Sequence, residues 1–290
     1  MTAPTVASLH IYPIKSCQQV ALDSAVVGRH GLVGDRLWQV IDAEGVPVTQ
    51  RQAAVLATVR PEPQGDSWRV HAPGHGELTI GAPGAPDTEC RSLVGDRIRL
   101  ADAGAAAAEW FSDLVGQRCR LVGHDDAFDR RLPPAIDVFG APLNLSDAAP
   151  VLVVNEASHA DLAGRAGEPF GIDRFRANIV VRGAGAWAED TWARFRIGAA
   201  ELGYGLPWPR CAIPQVDQDS GDRRREPAVV LKAHRWCTEL GPYPEALRGL
   251  LVGKALFGAA CTIGPAGTTV AVGDAVEVLE TAPALLAPPR

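Results

Sequence analysis

The chain has 290 residues, 47% of them hydrophobic and 21% charged, with a net charge of −6 at neutral pH. That balance describes a globular protein of one large or two smaller domains, able to bury its apolar surface without metal or disulfide staples. It also excludes several classes: no apolar run is long enough for a membrane helix, no long basic stretch marks a nucleic-acid binder, and the six scattered cysteines form neither a C-x-x-C pair nor an iron–sulfur spacing.

The N-terminus carries neither a charged start with an apolar core nor an arginine-rich transit pattern, so a cytoplasmic location is expected. Residues 6–12 (VASLHIY) alternate apolar and polar side chains and predict a strand, stopped by Pro13. Residues 37–41, 56–60, 67–71, 77–80 and 97–100 predict further strands separated by turn residues. No helix is predicted before about residue 100, which points to a small β-barrel or sandwich.

The first helix is predicted over 105–115 (AAAAEWFSDLV), from its alanines and its Trp110, Phe111 and Leu114 face. A strand follows at 119–122. The irregular stretch 125–146, with Pro133, Pro134 and Pro142, marks the domain boundary. This divides the chain into an N-terminal unit 1–122, a second unit 123–282 and a proline-rich tail 283–290, expected to be loose.

Residues 151–154 predict a buried strand, with Asn155 capping a helix over 156–165. Strands are predicted at 178–181, 195–197 and 201–203. Pro227 opens a helix running to about His234, and 267–280 form two strands around Gly273-Asp274. The pentapeptide LVGDR occurs at 32–36 and 93–97, but its flanks differ and no repeat period follows.

Chemistry concentrates at strand ends and loops. Lys15 and Ser16 follow the first strand, and Arg36 opens the strand at 37–41. Arg176 and Asn178 flank Ala177 and share a face if that segment is extended. Arg210 precedes Cys211. Cations beside hydroxyl and amide groups suit a phosphate. Taken singly, each arginine equally suits a neighbouring carboxylate.

Cys211 lies in LPWPRCAIPQVDQDSG (206–221), between an arginine and an acidic turn. A cation beside a thiol favours the thiolate, the form that reacts and binds soft metals. The alternative is an inert, buried thiol. Asp217 is a candidate proton donor, or a shaper of its own Asp-x-Asp-Ser-Gly turn. His159 is expected on an exposed helix face, His234 is assigned no role, and the run Arg223-Arg224-Arg225 reads as a solvated loop. No H-E-x-x-H, G-x-S-x-G or Walker sequence is present.

The ordered set IYPIKSC, GDRLW, VTQRQ, NEASHADL, RFRANIVV, AEDTW, the Arg210-Cys211 pair and VDQDSG resembles the MOSC-domain proteins. Within them it is most similar to the mitochondrial amidoxime reducing component and its bacterial relatives. The resemblance implies a mainly β fold with a few helices, a MOSC β-barrel packed on a smaller β-rich N-terminal domain. It implies a molybdenum–molybdopterin cofactor, with Cys211 as the metal ligand and Lys15, Ser16, Arg36, Arg176, Asn178 and Arg210 holding the pterin and its phosphate.

By the same resemblance, the activity is reduction of N-hydroxylated compounds such as amidoximes and hydroxylamines to amines. Electrons are expected from a separate ferredoxin, flavoprotein or haem protein, since the chain carries neither a ferredoxin-like cysteine set nor a dinucleotide-binding glycine fingerprint. The alternative is a cofactor carrier or sulfur-transfer protein, similar to the C-terminal part of molybdenum cofactor sulfurases. The chain departs from the family pattern at Trp208, Pro209, Ala148, Ala149 and Ala260, where a second cysteine, a small or polar residue, two hydroxyls and an aromatic are common.

Overall fold

The computed structural model describes residues 3–289. Its frame is an eight-stranded sheet, curled into half a barrel, in the order Val276–Thr281, Trp192–Ile197, Ala200–Pro209, Leu256–Gly264, Val151–Asn155, Ile179–Arg182, Thr5–Ile11, Val20–Leu22. One pair is parallel, Val151–Asn155 with Ile179–Arg182. Parallel neighbours need a crossover, and the helix Glu156–Gly164 supplies it. Asn155 caps that helix as expected, its Oδ1 accepting from the Ala157 amide at 3.1 Å.

Both faces of this sheet are covered, so its central strands read as continuous apolar runs rather than alternating ones. Val6, Leu9, Val153, Val181, Phe195 and Leu202 fill the concave side. On the other side Leu152, Val154 and Phe257 pack under Leu162 of the crossover helix and Val230 and Leu231 of the helix Ala228–His234.

The smaller unit holds a sheet of Trp38–Asp42, Cys119–Gly123, Arg97–Asp102 and Thr88–Arg91, and a second of Arg60–Gln64, Ser67–His71 and Leu78–Ile80. The helix Ala105–Val115 lays Ala107 and Phe111 against Leu56, Val70, Leu78 and Cys119. Gly116 ends it in the left-handed conformation, φ 76°, which glycine adopts without a Cβ clash.

The sheets do not follow a division at 122/123. Thr5–Ile11 and Val20–Leu22 belong to the large sheet, and Ser24–Gly28 pairs with Thr269–Ala271. The first strand thus carries Lys15 and Ser16 from the N-terminal end of the chain to the rim of the large sheet.

Two local readings change. Residues 54–58 form a 3₁₀ turn, Ala54–Thr58, and the strand begins only at Arg60. The tail is not loose: Leu285 and Leu286 pack against the cluster containing Leu240 and Leu247, and Arg235 donates to the Ala287 carbonyl at 3.4 Å. Two adjacent leucines give that proline-rich segment enough apolar surface to hold it down. Among the described residues no helix is long and apolar enough to cross a membrane.

Candidate functional site

Lys15, Ser16, Arg36, Arg176, Asn178, Arg210 and Cys211 line one cleft, which encloses about 740 Å³ of empty space with its mouth included. Asp217 is not among its walls. Four non-glycine residues among those described have a left-handed backbone, and three of them, Ser16 (φ 70°), Arg36 (φ 46°) and Arg176 (φ 56°), line this cleft. That conformation costs a side-chain-bearing residue about 1–2 kcal/mol and persists where the surroundings impose it, commonly at binding sites.

Arg176 follows the 3₁₀ turn Ile172–Phe175 as its left-handed cap, and the strand starts only at Ile179. The segment is therefore not extended, and the shared-face reading of Arg176 and Asn178 fails. Both reach the cleft because the chain turns sharply between them.

Tyr12 is the floor beneath two of the cations. The guanidinium carbons of Arg36 and Arg176 lie 4.4 Å and 4.2 Å from its ring centroid. Arg36 is also fixed by Asp35 at 2.5 Å and by Asn178 Oδ1 at 3.1 Å. Arg176 bonds Gln218 Oε1 at 3.2 Å. Burial holds the Arg176 guanidinium down to about 10, and the charge on Arg36 adds to that.

Arg210 is buried without a carboxylate beside it. Its Nε donates to the Phe257 carbonyl at 2.9 Å and its Nη1 to the Phe175 carbonyl at 3.1 Å. Its Nη2 is buried and has no partner. Burial pushes its pKa down to about 9. A buried guanidinium nitrogen without an acceptor is costly, so the arrangement makes sense when an acceptor arrives from outside the chain.

Lys15 is satisfied from within. Its Nζ lies 2.6 Å from Asp147 Oδ1 and 2.6 Å from the Leu145 carbonyl. Burial lowers the lysine pKa while Asp147 opposes the change. Asp147 itself sits well below the usual carboxylate range, its burial outweighed by Lys15 and Arg51. Asn178 is likewise occupied: its Oδ1 accepts from the Leu152 amide at 3.1 Å and its Nδ2 donates to the His10 carbonyl at 3.2 Å. It stitches strands and steers Arg36.

Cys211 is the one exposed cysteine among the described residues. Its sulfur accepts from Arg51 Nη2 at 3.2 Å and from the Ile213 amide at 3.4 Å. The strand Ala200–Pro209 ends just before it, and the 3₁₀ turn Ile213–Gln215, with Pro214 inside, begins just after. Both elements pin the loop. By contrast burial drives the Cys17 and Cys261 thiols far up, as for inert core cysteines.

Asp217 takes a different part from the proton donor considered for it. Its Oδ1 accepts from the Asp219 and Ser220 amides, both at 3.1 Å, and its Oδ2 from Arg174 at 2.7 Å. The Ser220 amide leads in holding its pKa below the ordinary value, against a small cost of burial. It closes the turn and positions Arg174, which lines the cleft. His159 is half-buried, its ring edge-on to Phe170 at 5.4 Å, and burial lowers its pKa. His234, the last residue of the helix Ala228–His234, does not line the cleft.

The chain matches the MOSC N-terminal beta barrel domain over residues 3–118 and the MOSC domain over residues 141–277. The mouse protein named mitochondrial amidoxime-reducing component 1 is 37% identical over 287 residues, covering 95% of this chain and 82% of the relative. The chain belongs to the amidoxime-reducing component family of MOSC-domain proteins. The human component 1 is 36% identical over 289 residues, covering 95% of this chain and 83% of the relative. A zebrafish molybdenum cofactor sulfurase is 28% identical over 252 residues, covering 80% of this chain but 30% of the relative.

Of the positions noted as departures, Trp208, Pro209 and Ala149 stand in the cleft wall. Ala260 is fully buried among leucines of the barrel. Sequence reasoning missed three charged groups of the site, Arg51, Asp147 and Arg174. Arg51 stood in view inside the VTQRQ motif. Arg174 likewise opens the RFRANIVV motif, whereas nothing local marks Asp147.

Proposed function

We propose that the chain is a molybdenum-cofactor-dependent oxidoreductase that reduces N-hydroxylated compounds to amines. The observation carrying this reading is the partnerless buried Nη2 of Arg210, one residue before an exposed cysteine in a cleft lined by further cations. Among the described residues Arg36 is paired with Asp35, Arg174 with Asp217, and Lys15 shares Asp147 with Arg51, while Arg176 and Arg210 have no carboxylate partner. The surplus suits a phosphate-bearing pterin.

The donor set also fits a metal that brings most of its ligands with it. Among the described residues no three His, Cys, Asp or Glu side chains cluster as a metal site, so Cys211 would be a single thiolate ligand. Arg36, Arg176 and Arg210 would hold the phosphate end, with Ser16 beside them. Arg51 would direct its Nη2 to the ligand sulfur, as it does here.

Reduction of an amidoxime takes two electrons and two protons, breaks the N–O bond and releases the amidine and water. The cofactor, when bound, supplies the site that accepts oxygen. The chain binds and orients that site, keeps Cys211 sulfur at the cleft mouth, and leaves protons to solvent, since Asp217 is held ionised by its turn. A cytoplasmic site of action and a separate electron carrier are parts of the same proposal. The sulfurase match favours a second reading, a cofactor carrier or sulfur-transfer protein without reductase activity.

The two are separated by incubating cofactor-loaded protein with benzamidoxime and a chemical electron donor. Benzamidine formation is expected. Loaded protein that turns over nothing supports the carrier.

A further inference from the structure

The loop read from sequence as merely solvated has a specific position. Arg223 Nη2 donates to the carbonyls of Gln50 at 2.9 Å and Arg51 at 2.8 Å, beside the guanidinium that touches Cys211. The Arg224 amide bonds the Gln215 carbonyl at 2.8 Å, in the turn that follows Cys211. Farther along, Trp236 forms a bridge with Ala255, whose carbonyl accepts from the Arg210 amide at 2.8 Å. Trp236 is thus two strand spacings, about 10 Å, from the residue preceding Cys211. The segment 223–236 skirts the cleft mouth.

Its outer face is unusual for this molecule. Trp236 is 42% exposed and Val229 46% exposed, and no other Trp, Tyr or Phe among the described residues is as open as Trp236. Lys232 Nζ lies 5.8 Å from the Trp236 ring. Arg223, Arg224, Arg225, Lys232 and Lys254 are exposed around them. Most carboxylates in the neighbourhood are already engaged: Asp222 sits 3.8 Å from Arg224, Asp219 faces Arg60, Asp161 pairs with Arg165, and Glu226 is buried with its oxygens on the Val230 and Gly167 amides, while Glu168 and Glu239 are exposed. A basic rim around an open tryptophan, on a chain whose net charge is −6, is a local exception.

We propose that the face formed by Arg224, Arg225, Val229, Lys232 and Trp236 is the docking site for an acidic one-electron carrier protein. The proposal rests on the reductase reading, which requires electrons from outside. A carrier protein is too large for the cleft and must deliver them at its rim. Opposite charge steers an acidic carrier to this rim and away from the acidic remainder of the surface. Tryptophan and arginine are the residues that most often anchor such contacts.

The test uses the cofactor-loaded protein with an acidic [2Fe–2S] ferredoxin as the probe, and reduced methyl viologen as the donor that needs no docking. Two variants are compared, Arg224→Glu/Arg225→Glu and Lys232→Glu/Trp236→Ser. Both are expected to keep viologen-driven turnover within twofold of the parent, while the KM for ferredoxin rises at least tenfold and its salt dependence flattens. Calorimetric binding of ferredoxin at low salt, independent of turnover, is expected to weaken in parallel. Unchanged ferredoxin binding and KM in both variants overturn the docking face. No viologen-driven turnover in the parent overturns the reductase reading instead, and calorimetry then still decides the docking face.

Discussion

Two buried arginines make the most instructive contrast in the molecule. Arg235, 1% exposed, meets Asp190 at 2.5 Å, the Leu256 carbonyl at 3.2 Å and the Ala287 carbonyl at 3.4 Å, and stacks 4.2 Å from the Trp187 ring. Arg210 has two carbonyls, two phenylalanine rings and no carboxylate, and one of its nitrogens bonds nothing. The first cation carries its counter-ion inside the fold, as a structural charge must. The second is left positive in a cleft where further cations gather. The fold tolerates that deficit only at the place where a ligand would remove it.

Replacing each by methionine should break the contrast in opposite directions. Arg235→Met strands Asp190 as an uncompensated buried charge, and should lower unfolding stability by about 3–5 kcal/mol, read by denaturant titration. Arg210→Met removes a charge that had no counter-ion, along with its bonds to the Phe257 and Phe175 carbonyls. It should cost about 1–2 kcal/mol in the cofactor-free chain, less than Arg235→Met, while cofactor retention collapses. Equal losses of stability at the two positions would erase the distinction.

The region around Arg235 also sets a pH dependence that the cleft should lack. Burial and then the neighbouring Asp190 raise the Glu189 carboxyl from the ordinary 4.5 to about 7. The folded chain therefore keeps a proton that the unfolded chain releases first. Stability from this group is full below pH 4.5 and is lost as pH rises toward 7. Glu189→Gln should flatten that decline, gaining on the order of 3 kcal/mol relative to the parent at pH 8 and nothing at pH 4. A parallel offset at both pH values would show that titration of Glu189 is not the cause.

The smallest effect is expected at Asp217. Asp217→Asn keeps the turn's amide acceptor and loses the charge opposite Arg174, whose side chain is 6% exposed against 32% for Asp217, at a cost of about 1–2 kcal/mol. Turnover should stay within about threefold with an unchanged pH profile. A hundredfold loss with a displaced acid limb would restore the proton-donor role.

Much of this was legible in the sequence, for uneven reasons. Glycine and proline spacing disclosed a β-rich chain, and the cap at Asn155 sits where local chemistry puts it. Cys211 was readable because its basic neighbour and its prolines are contiguous with it. Arg51 was not, because its contact with Cys211 spans 160 positions and only the folded Thr49–Gln52 turn aims it. Arg176 and Asn178 were placed correctly on a false premise: the left-handed turn at Arg176, not an extended strand, delivers them. The first strand's membership of the large sheet had no local signal, since pairing partners 170 and more residues away decide it. His159 looked exposed because its helix carries little apolar asymmetry, yet Phe170 folds back over it.

The most direct test is the molybdenum and pterin content per chain of protein purified from a host that makes the cofactor, for the parent and for Cys211→Ala. Close to one molybdenum and one pterin in the parent, with metal and benzamidoxime reduction falling at least a hundredfold in the variant while its melting temperature holds, is the expected result. Parent protein with neither molybdenum nor pterin above trace would contradict the assignment and return Cys211 to an ordinary exposed thiol.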